Sequence, residues 1–302
     1  MHCKLLETLP SGDQKPSSNL SLSLLFRAPL HSIRKTRLYA FLLKTGLNRP
    51  RLSNLGLPFP VALRPLTHAS IRWRHRRQEP EITDLFIRTI KFLSNKPSCG
   101  PFFDVGANHG HYAWIAQSEC PDMKVVAFEP DPENLELLKL TVNHSKLARV
   151  RIVETALSDK DGRVSFHQDP LTSATGMIQD GETPWIEKYL GGKSRMIEVR
   201  RTILDSYCTP ESFPALVKID VEGHEAEVLR GGENCLRDYK PILILESFPP
   251  KQELVIDLLN DMEYELLDAE NGKPLGSRTN NIFAWHSEGP LSKSEICKIL
   301  ES

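Results

Sequence analysis

The chain has 302 residues with a formal net charge of −1, 40% hydrophobic and 25% charged residues. Those proportions suit one large soluble-type domain or two small ones, and exclude a collagen, a fully disordered chain and a disulfide-dense miniprotein. The six cysteines (Cys3, Cys99, Cys120, Cys208, Cys235 and Cys297) form no CxxC pair, which predicts reduced thiols and no structural zinc. No run of about 18 apolar residues is present, so no membrane span is expected.

The charge is unevenly spread. Residues 1–80 carry 14 Lys and Arg against 3 Asp and Glu, a balance of +11, and the remainder carries −12. Four regions follow: residues 1–35 as a disordered tail, 36–80 as a basic extension able to cap a substrate site, 81–290 as the main domain, and 291–302 as a tail or short helix. The tail is basic, serine-containing and poor in acids, which also suits an organellar transit peptide. It has no clean secretory signal, and the default compartment is cytoplasmic.

Arg37 to Leu47 has helical spacing, with Leu38, Phe41 and Leu42 on one face. Pro50, Pro58, Pro60 and Pro65 then break the chain. A dense basic run follows from Ile71 to Arg77, with Trp73 inside it. From Ile82 to Leu93 the apolar positions Ile82, Leu85, Phe86, Ile90 and Leu93 predict an amphipathic helix. Strands and helices then alternate: a strand ending at Gly106, a helix from His111 to Ser118, a strand from Lys124 to Glu129, and a helix capped by Asp131 with Pro132 at its first position. Further strands are expected at Val150 to Glu154 and Val164 to His167, and a long polar loop over 169–195. The last third reads as strand Ala215 to Asp220, helix Glu225 to Arg230, strand Pro241 to Glu246, helix Gln252 to Met262, and strands Tyr264 to Leu267 and Asn281 to Trp285. Continuous apolar strands between helices predict a parallel sheet covered on both faces, an α/β fold.

Such sheets bind ligands at the carboxyl ends of their strands. The first main-domain strand ends in Asp104-Val-Gly-Ala-Asn-His-Gly110, where Gly106 and Gly110 permit a tight turn and Asn108 tolerates positive φ. The next strand ends in Glu129, an acid placed to take hydrogen bonds from both ribose hydroxyls. A dinucleotide fingerprint would carry three glycines for a pyrophosphate. The spacing here is Gly106-x-x-x-Gly110 with Asn108 between, which favours an adenosine-containing ligand without a pyrophosphate.

Phe103-Asp-Val-Gly-Ala-Asn-His-Gly110, Ala127-Phe-Glu-Pro130, Ala156-Leu-Ser-Asp159 and Lys218-Ile-Asp-Val-Glu-Gly-His-Glu225, followed by Leu229-Arg-Gly-Gly232 and Ile244-Leu-Glu246, occur in this order. Together they resemble the signature of the FkbM family of S-adenosylmethionine-dependent methyltransferases over roughly residues 80–286. The resemblance implies a Rossmann-like class I methyltransferase sheet of seven strands, the last antiparallel. It also implies S-adenosylmethionine as cofactor and methyl transfer to an oxygen of a sugar or natural-product acceptor. By motif, Asp104, Gly106, Ala107, Asn108 and Gly110 would line the cofactor's methionine end. Glu129, with Pro130 beside it, would hold the ribose, and Ser158 and Asp159 would lie near the adenine.

A sugar hydroxyl needs a group to take its proton. Lys218 and Asp220 point to one side of their strand, Glu222 and His224 occupy its exit loop, and Glu246 ends another strand. Asp220 and Glu222 are therefore the first candidates for acid–base work, then Glu246, then His224. Each also has a plain structural use, as an ion-pair partner or at a helix N-terminus. Two carboxylates do not specify a metal site, and none is assigned. Competing readings are a dinucleotide-dependent oxidoreductase on a similar sheet, and a non-catalytic protein binding nucleic acid or an acidic partner through the basic arm. The small basic footprint disfavours nucleic acid, and the preferred partner is a small-molecule hydroxyl acceptor.

Overall fold

The computed structural model describes residues 36–69, 71, 79–97, 99–168, 176–178 and 194–301. The tail at 1–35, the basic run after Ile71 and most of the 169–195 loop lie outside the described residues.

The Thr36 side chain accepts from the Tyr39 amide and caps helix α1 (Arg37–Leu43). Leu38 and Phe41 share a side of it, as their spacing predicts, but that side faces away from the protein. The prolines expected to break up the next stretch instead flank a hairpin of β1 (Arg51–Ser53) and β2 (Val61–Leu63). Helix α2 (Pro80–Ser94) buries Ile82, Leu85, Phe86, Ile90 and Leu93, the apolar stripe read from the sequence.

Then come β3 (Phe102–Val105), α3 (His111–Glu119), β4 (Val125–Phe128), α4 (Pro132–Ser145) and β5 (Val150–Val153). Four strands follow: β6 (Ala156–Leu157), β7 (Gly162–Gln168), β8 (Met177–Ile178) and β9 (Arg195–Thr202). The chain continues through β10 (Leu216–Ile219), α5 (Glu225–Arg230), α6 (Glu233–Tyr239), β11 (Ile242–Glu246), α7 (Gln252–Asp261), β12 (Glu265–Asp268), β13 (Asn281–Trp285) and α8 (Lys293–Glu301). Within residues 291–302, expected as a tail or short helix, Lys293–Glu301 forms α8, which buries Ile296 and Ile299 and packs on α2.

The main sheet has seven strands in the order β12-β13-β11-β10-β3-β4-β5. Only β13 runs against its neighbours, the class I arrangement. Strand order reverses between β3 and β10, and a ligand cleft is expected above their carboxyl ends. Side-chain alternation splits the core in two. Phe102, Leu216 and Ile244 face the layer of α2 and α3, while Phe103, Val217 and Leu243 face α5 and α7. By the same parity Asp104, Lys218, Asp220 and Glu246 belong to the first face.

The second sheet, in the order β6-β9-β7-β8, includes three strands absent from the sequence reading, β6, β8 and β9. The extension is not a loose arm. The Ala62 amide donates to Thr141 Oγ1 at 2.9 Å, and Ser145 Oγ donates to the Pro60 carbonyl at 3.0 Å, which fixes β2 on α4. The expectation of reduced thiols fails at one pair: Cys208 and Cys235 form a disulfide with Cα atoms 5.8 Å apart. The two lie 27 positions apart in sequence and meet only because the turn before Cys208 packs on α6.

Candidate active site

The loop after β3 is built by its neighbours. The Gly106 and Ala107 amides both donate to the Phe128 carbonyl, at 3.1 and 3.0 Å. Gly106 has φ 80°, and a Cβ there would lie 2.0 Å from the Asp220 carbonyl oxygen, so the close approach of β3 and β10 demands glycine. Gly110, φ 92°, is glycine for another reason: a Cβ would lie 2.3 Å from the Trp114 ring. Trp114 packs in the core and donates its indole N–H to the His109 carbonyl at 2.7 Å. Asn108 takes φ 54°, as expected of its residue type.

Glu129 stands at the end of β4 and is buried. Its Oε2 accepts from the Asn108 amide at 2.6 Å and its Oε1 from the Asp131 amide at 2.8 Å. Burial, helped by the Asp131 charge, pushes its carboxyl up to about 8 against those hydrogen bonds. Each carboxylate oxygen retains a lone pair for an incoming hydroxyl.

Glu129 lines an open cleft. It is lined by Gly106, Asn108 and Pro130, by Asp220, Val221 and Glu222, and by Thr155, Ala156 and Leu157. Phe166 and Ile178 of the second sheet, with Gly176 just before β8, complete its lining as a roof. Gly176 makes room for the roof, since a Cβ there would lie 2.2 Å from the Phe166 ring.

Seven of the expected site residues are not among those lining the cleft: Asp104, Ala107, Gly110, Ser158, Asp159, His224 and Glu246. Asp104 is buried beneath the loop, where its Oδ2 accepts from the Ala113 amide at 3.0 Å and satisfies the first turn of α3. Burial raises its carboxyl to about 7, opposed by the Lys218 charge. Ser158 is fully buried, its Oγ 2.9 Å from His224 Nε2 and 3.0 Å from Asp159 Oδ1. The residues just before this pair, Thr155 to Leu157, line the cleft in its place. His224, ranked last as an acid–base group, is buried between Ser158 and Glu227 and is not among the cleft-lining residues.

The other three acid–base candidates come together. Lys218 is fully buried, 3.6 Å from Asp220 Oδ2, with its ammonium 5.2 Å from the centre of the Tyr112 ring. Burial alone would lower its pKa, but Asp220, Glu246, Glu79 and Asp104 outweigh that and hold it charged. Burial raises Glu246 to about 9, and the Asp220 charge adds to this. Burial, then Asp220 and Glu246, pushes Glu222 well above the carboxylate range. Two members escaped the sequence reading. Tyr112 donates its hydroxyl to Glu79 Oε2 at 3.0 Å, so the end of the basic extension reaches this acidic group. A tyrosine at the start of a helix carries no signal of such a role. The neighbouring imidazoles are neutral: burial lowers His109 to about 3 and His111 to about 4.

A family model described as the methyltransferase FkbM domain matches residues 104–270. The 2-O-methyltransferase NoeI of Sinorhizobium fredii is 30% identical over 162 residues, 49% of this chain and 63% of that protein. The hexuronic acid methyltransferase AglP of Haloferax volcanii is 30% identical over 143 residues, 47% of this chain and 54% of that protein. The match thus spans less than two thirds of either relative. Among solved structures, a methyltransferase FkbM from Methylobacillus flagellatus aligns with a TM-score of 0.42 and 15% identity, covering 73% of this chain and 61% of that one.

Proposed function

The chain belongs to the FkbM methyltransferase family, and from that premise we propose that it transfers a methyl group from S-adenosylmethionine to a hydroxyl oxygen of a sugar or sugar-like small molecule. One observation carries the reading: a single cleft has a hydrogen-bonded carboxylate, Glu129, at one end and the Asp220–Glu222 edge of a carboxyl cluster at the other. The cleft suits the cofactor. Gly106 and Asn108 line it beside Glu129, which offers acceptors to ribose hydroxyls. Thr155 to Leu157 offer a partly apolar wall for adenine. Bound there, S-adenosylmethionine supplies an electrophilic methyl on a sulfonium, with a neutral thioether as leaving group.

The chain's residues then have to align the acceptor, exclude water and take one proton. Burial raises Glu246 to about 9, so it keeps its proton near neutral pH. Asp220 lines the cleft beside the Lys218 cation and is placed to receive the hydroxyl proton. Glu246 is within hydrogen-bonding reach of Asp220 and steadies it. The roof of Phe166 and Ile178 excludes water. A sugar acceptor is supported by the names of two relatives, a 2-O-methyltransferase and a hexuronic acid methyltransferase.

The test is methyl transfer from isotopically labelled S-adenosylmethionine to a panel of methyl glycosides, uronic acids and nucleotide sugars, followed by mass-spectrometric assignment of the methylated atom. The expected product is a methyl ether whose formation is lost in Asp220→Asn. A product methylated on nitrogen alone would overturn the hydroxyl assignment.

A further inference from the structure

Between Asp13 and Glu79 the chain holds 13 Lys and Arg and no Asp or Glu. The described part of this stretch also carries an unusual share of exposed apolar surface. Eight large hydrophobic side chains are exposed among the described residues, and four of them fall within residues 38–52: Leu38 (67%), Phe41 (65%), Leu47 (55%) and Leu52 (43%). Isolated surface leucines need no explanation, but a concentration of this kind marks an interaction site.

The exposure does not come from loose packing. Tyr39, on the opposite side of α1 from Leu38 and Phe41, is buried and donates its hydroxyl to the Leu66 carbonyl at 3.0 Å. Asn48 is buried next to exposed Leu47, and its Oδ1 accepts from the Leu66 and Thr67 amides at 3.1 and 3.2 Å. Leu52 projects from β1, whose partner β2 is in the core. The segment is pinned to the protein by its polar and inward-facing residues, and its outward-facing residues are apolar.

Cations stand among these apolar groups. Lys44, Arg49 and Arg51 are all exposed, each within three positions of Phe41, Leu47 or Leu52. We propose that residues 36–53 form a docking surface for an anionic lipid membrane, with Leu38, Phe41, Leu47 and Leu52 entering the interface and Lys44, Arg49 and Arg51 meeting the headgroup charge. Interleaved apolar and basic side chains without acids are what such a surface selects. A protein partner fits less well, because charged residues are depleted at the centres of protein interfaces. A nucleic acid would use the cations but leave the leucines without a role. Attachment here is peripheral: no helix among the described residues is long and apolar enough to cross a membrane. The −12 balance of residues 81–302 turns the rest of the chain away from the same surface.

The test is co-sedimentation of the full chain with vesicles of phosphatidylcholine and phosphatidylglycerol, against phosphatidylcholine alone, at low and high salt. Partition into the anionic vesicles, weakened by salt, is expected. Leu38→Ser combined with Phe41→Ser reduces it by about tenfold or more. Lys44→Glu, Arg49→Glu and Arg51→Glu each reduce it by roughly fivefold. These side chains are exposed, so the variants keep the wild-type circular dichroism and melting temperature. Absence of binding to anionic vesicles would overturn the proposal. So would binding undiminished in every variant, which would place the contact on other basic residues. Binding of polyuridine with no binding of vesicles would reassign the surface to nucleic acid.

Discussion

The two ends of the cleft use carboxylates in opposite ways. At the β4 end two backbone amides fix the oxygens of Glu129 in place, with Asp131 as its carboxyl neighbour. At the β10 end Asp220, Glu222 and Glu246 crowd around one buried lysine and perturb one another. A carboxylate tied to backbone holds a ligand in one geometry. Carboxyls that share protons among themselves can accept or release one. The comparison separates binding from chemistry along a single cleft, and substitutions at the two ends should separate the same way.

The sharpest break comes from Asp220→Asn. General acid–base groups contribute about 10²–10⁴ in rate, so methyl transfer at saturating cofactor falls by that range while cofactor affinity, measured by calorimetry, changes little. Gly106→Ala damages both ends together. Its Cβ meets the Asp220 carbonyl at φ 80°, and thermal unfolding should show a loss of about 3 kcal/mol along with weaker cofactor binding. A pH titration tests the β4 end alone. Glu129 sits at about 8 in the ligand-free cleft, whereas ribose hydroxyls donate to its ionised form. Cofactor affinity therefore rises with pH up to about 8, and Glu129→Gln flattens that slope. The smallest effect concerns Glu246. Its folded pKa is raised from 4.5 to about 9, so the stability it contributes is full below 4.5 and is lost as pH rises towards 9. Glu246→Gln should gain in melting temperature relative to the native chain across that window, with little difference at pH 4.

The sequence made the main sheet readable where burial on both faces leaves continuous apolar runs, as in Ile242–Leu245 of β11 and all of β13. Helix α2 was readable because its apolar residues repeat at helical spacing. Strand β9 was not: in Arg195–Thr202 the alternation is short, Ile197 and Val199 facing inward between exposed Glu198 and Arg200, and only Val199 is buried. Helix α6 was missed because Gly231-Gly232 reads as a stop, whereas both glycines serve close packing, against the Ser158 carbonyl and Leu204. At the candidate site, Glu129, Asp220 and Glu222 are singled out because they stand at or just after strand ends, where open sheets bind ligands, and all three line the cleft. Glu79, Tyr112 and the roof residue Phe166 come from other elements, and only tertiary packing brings them in. Asp104 and Ser158 share motifs with cleft residues yet serve the scaffold, as a helix-capping acid and a partner of His224.

The central claim is that the Glu129 end of the cleft holds an adenosyl sulfonium. Calorimetric titration of the native chain and of Glu129→Ala with S-adenosylmethionine, and separately with NADH, tests it most directly. The account predicts binding of S-adenosylmethionine and not NADH, weakened by about 100-fold in the variant as charge-assisted hydrogen bonds are lost. A folded native chain that binds NADH in preference, or S-adenosylmethionine equally well without the Glu129 carboxylate, would contradict it.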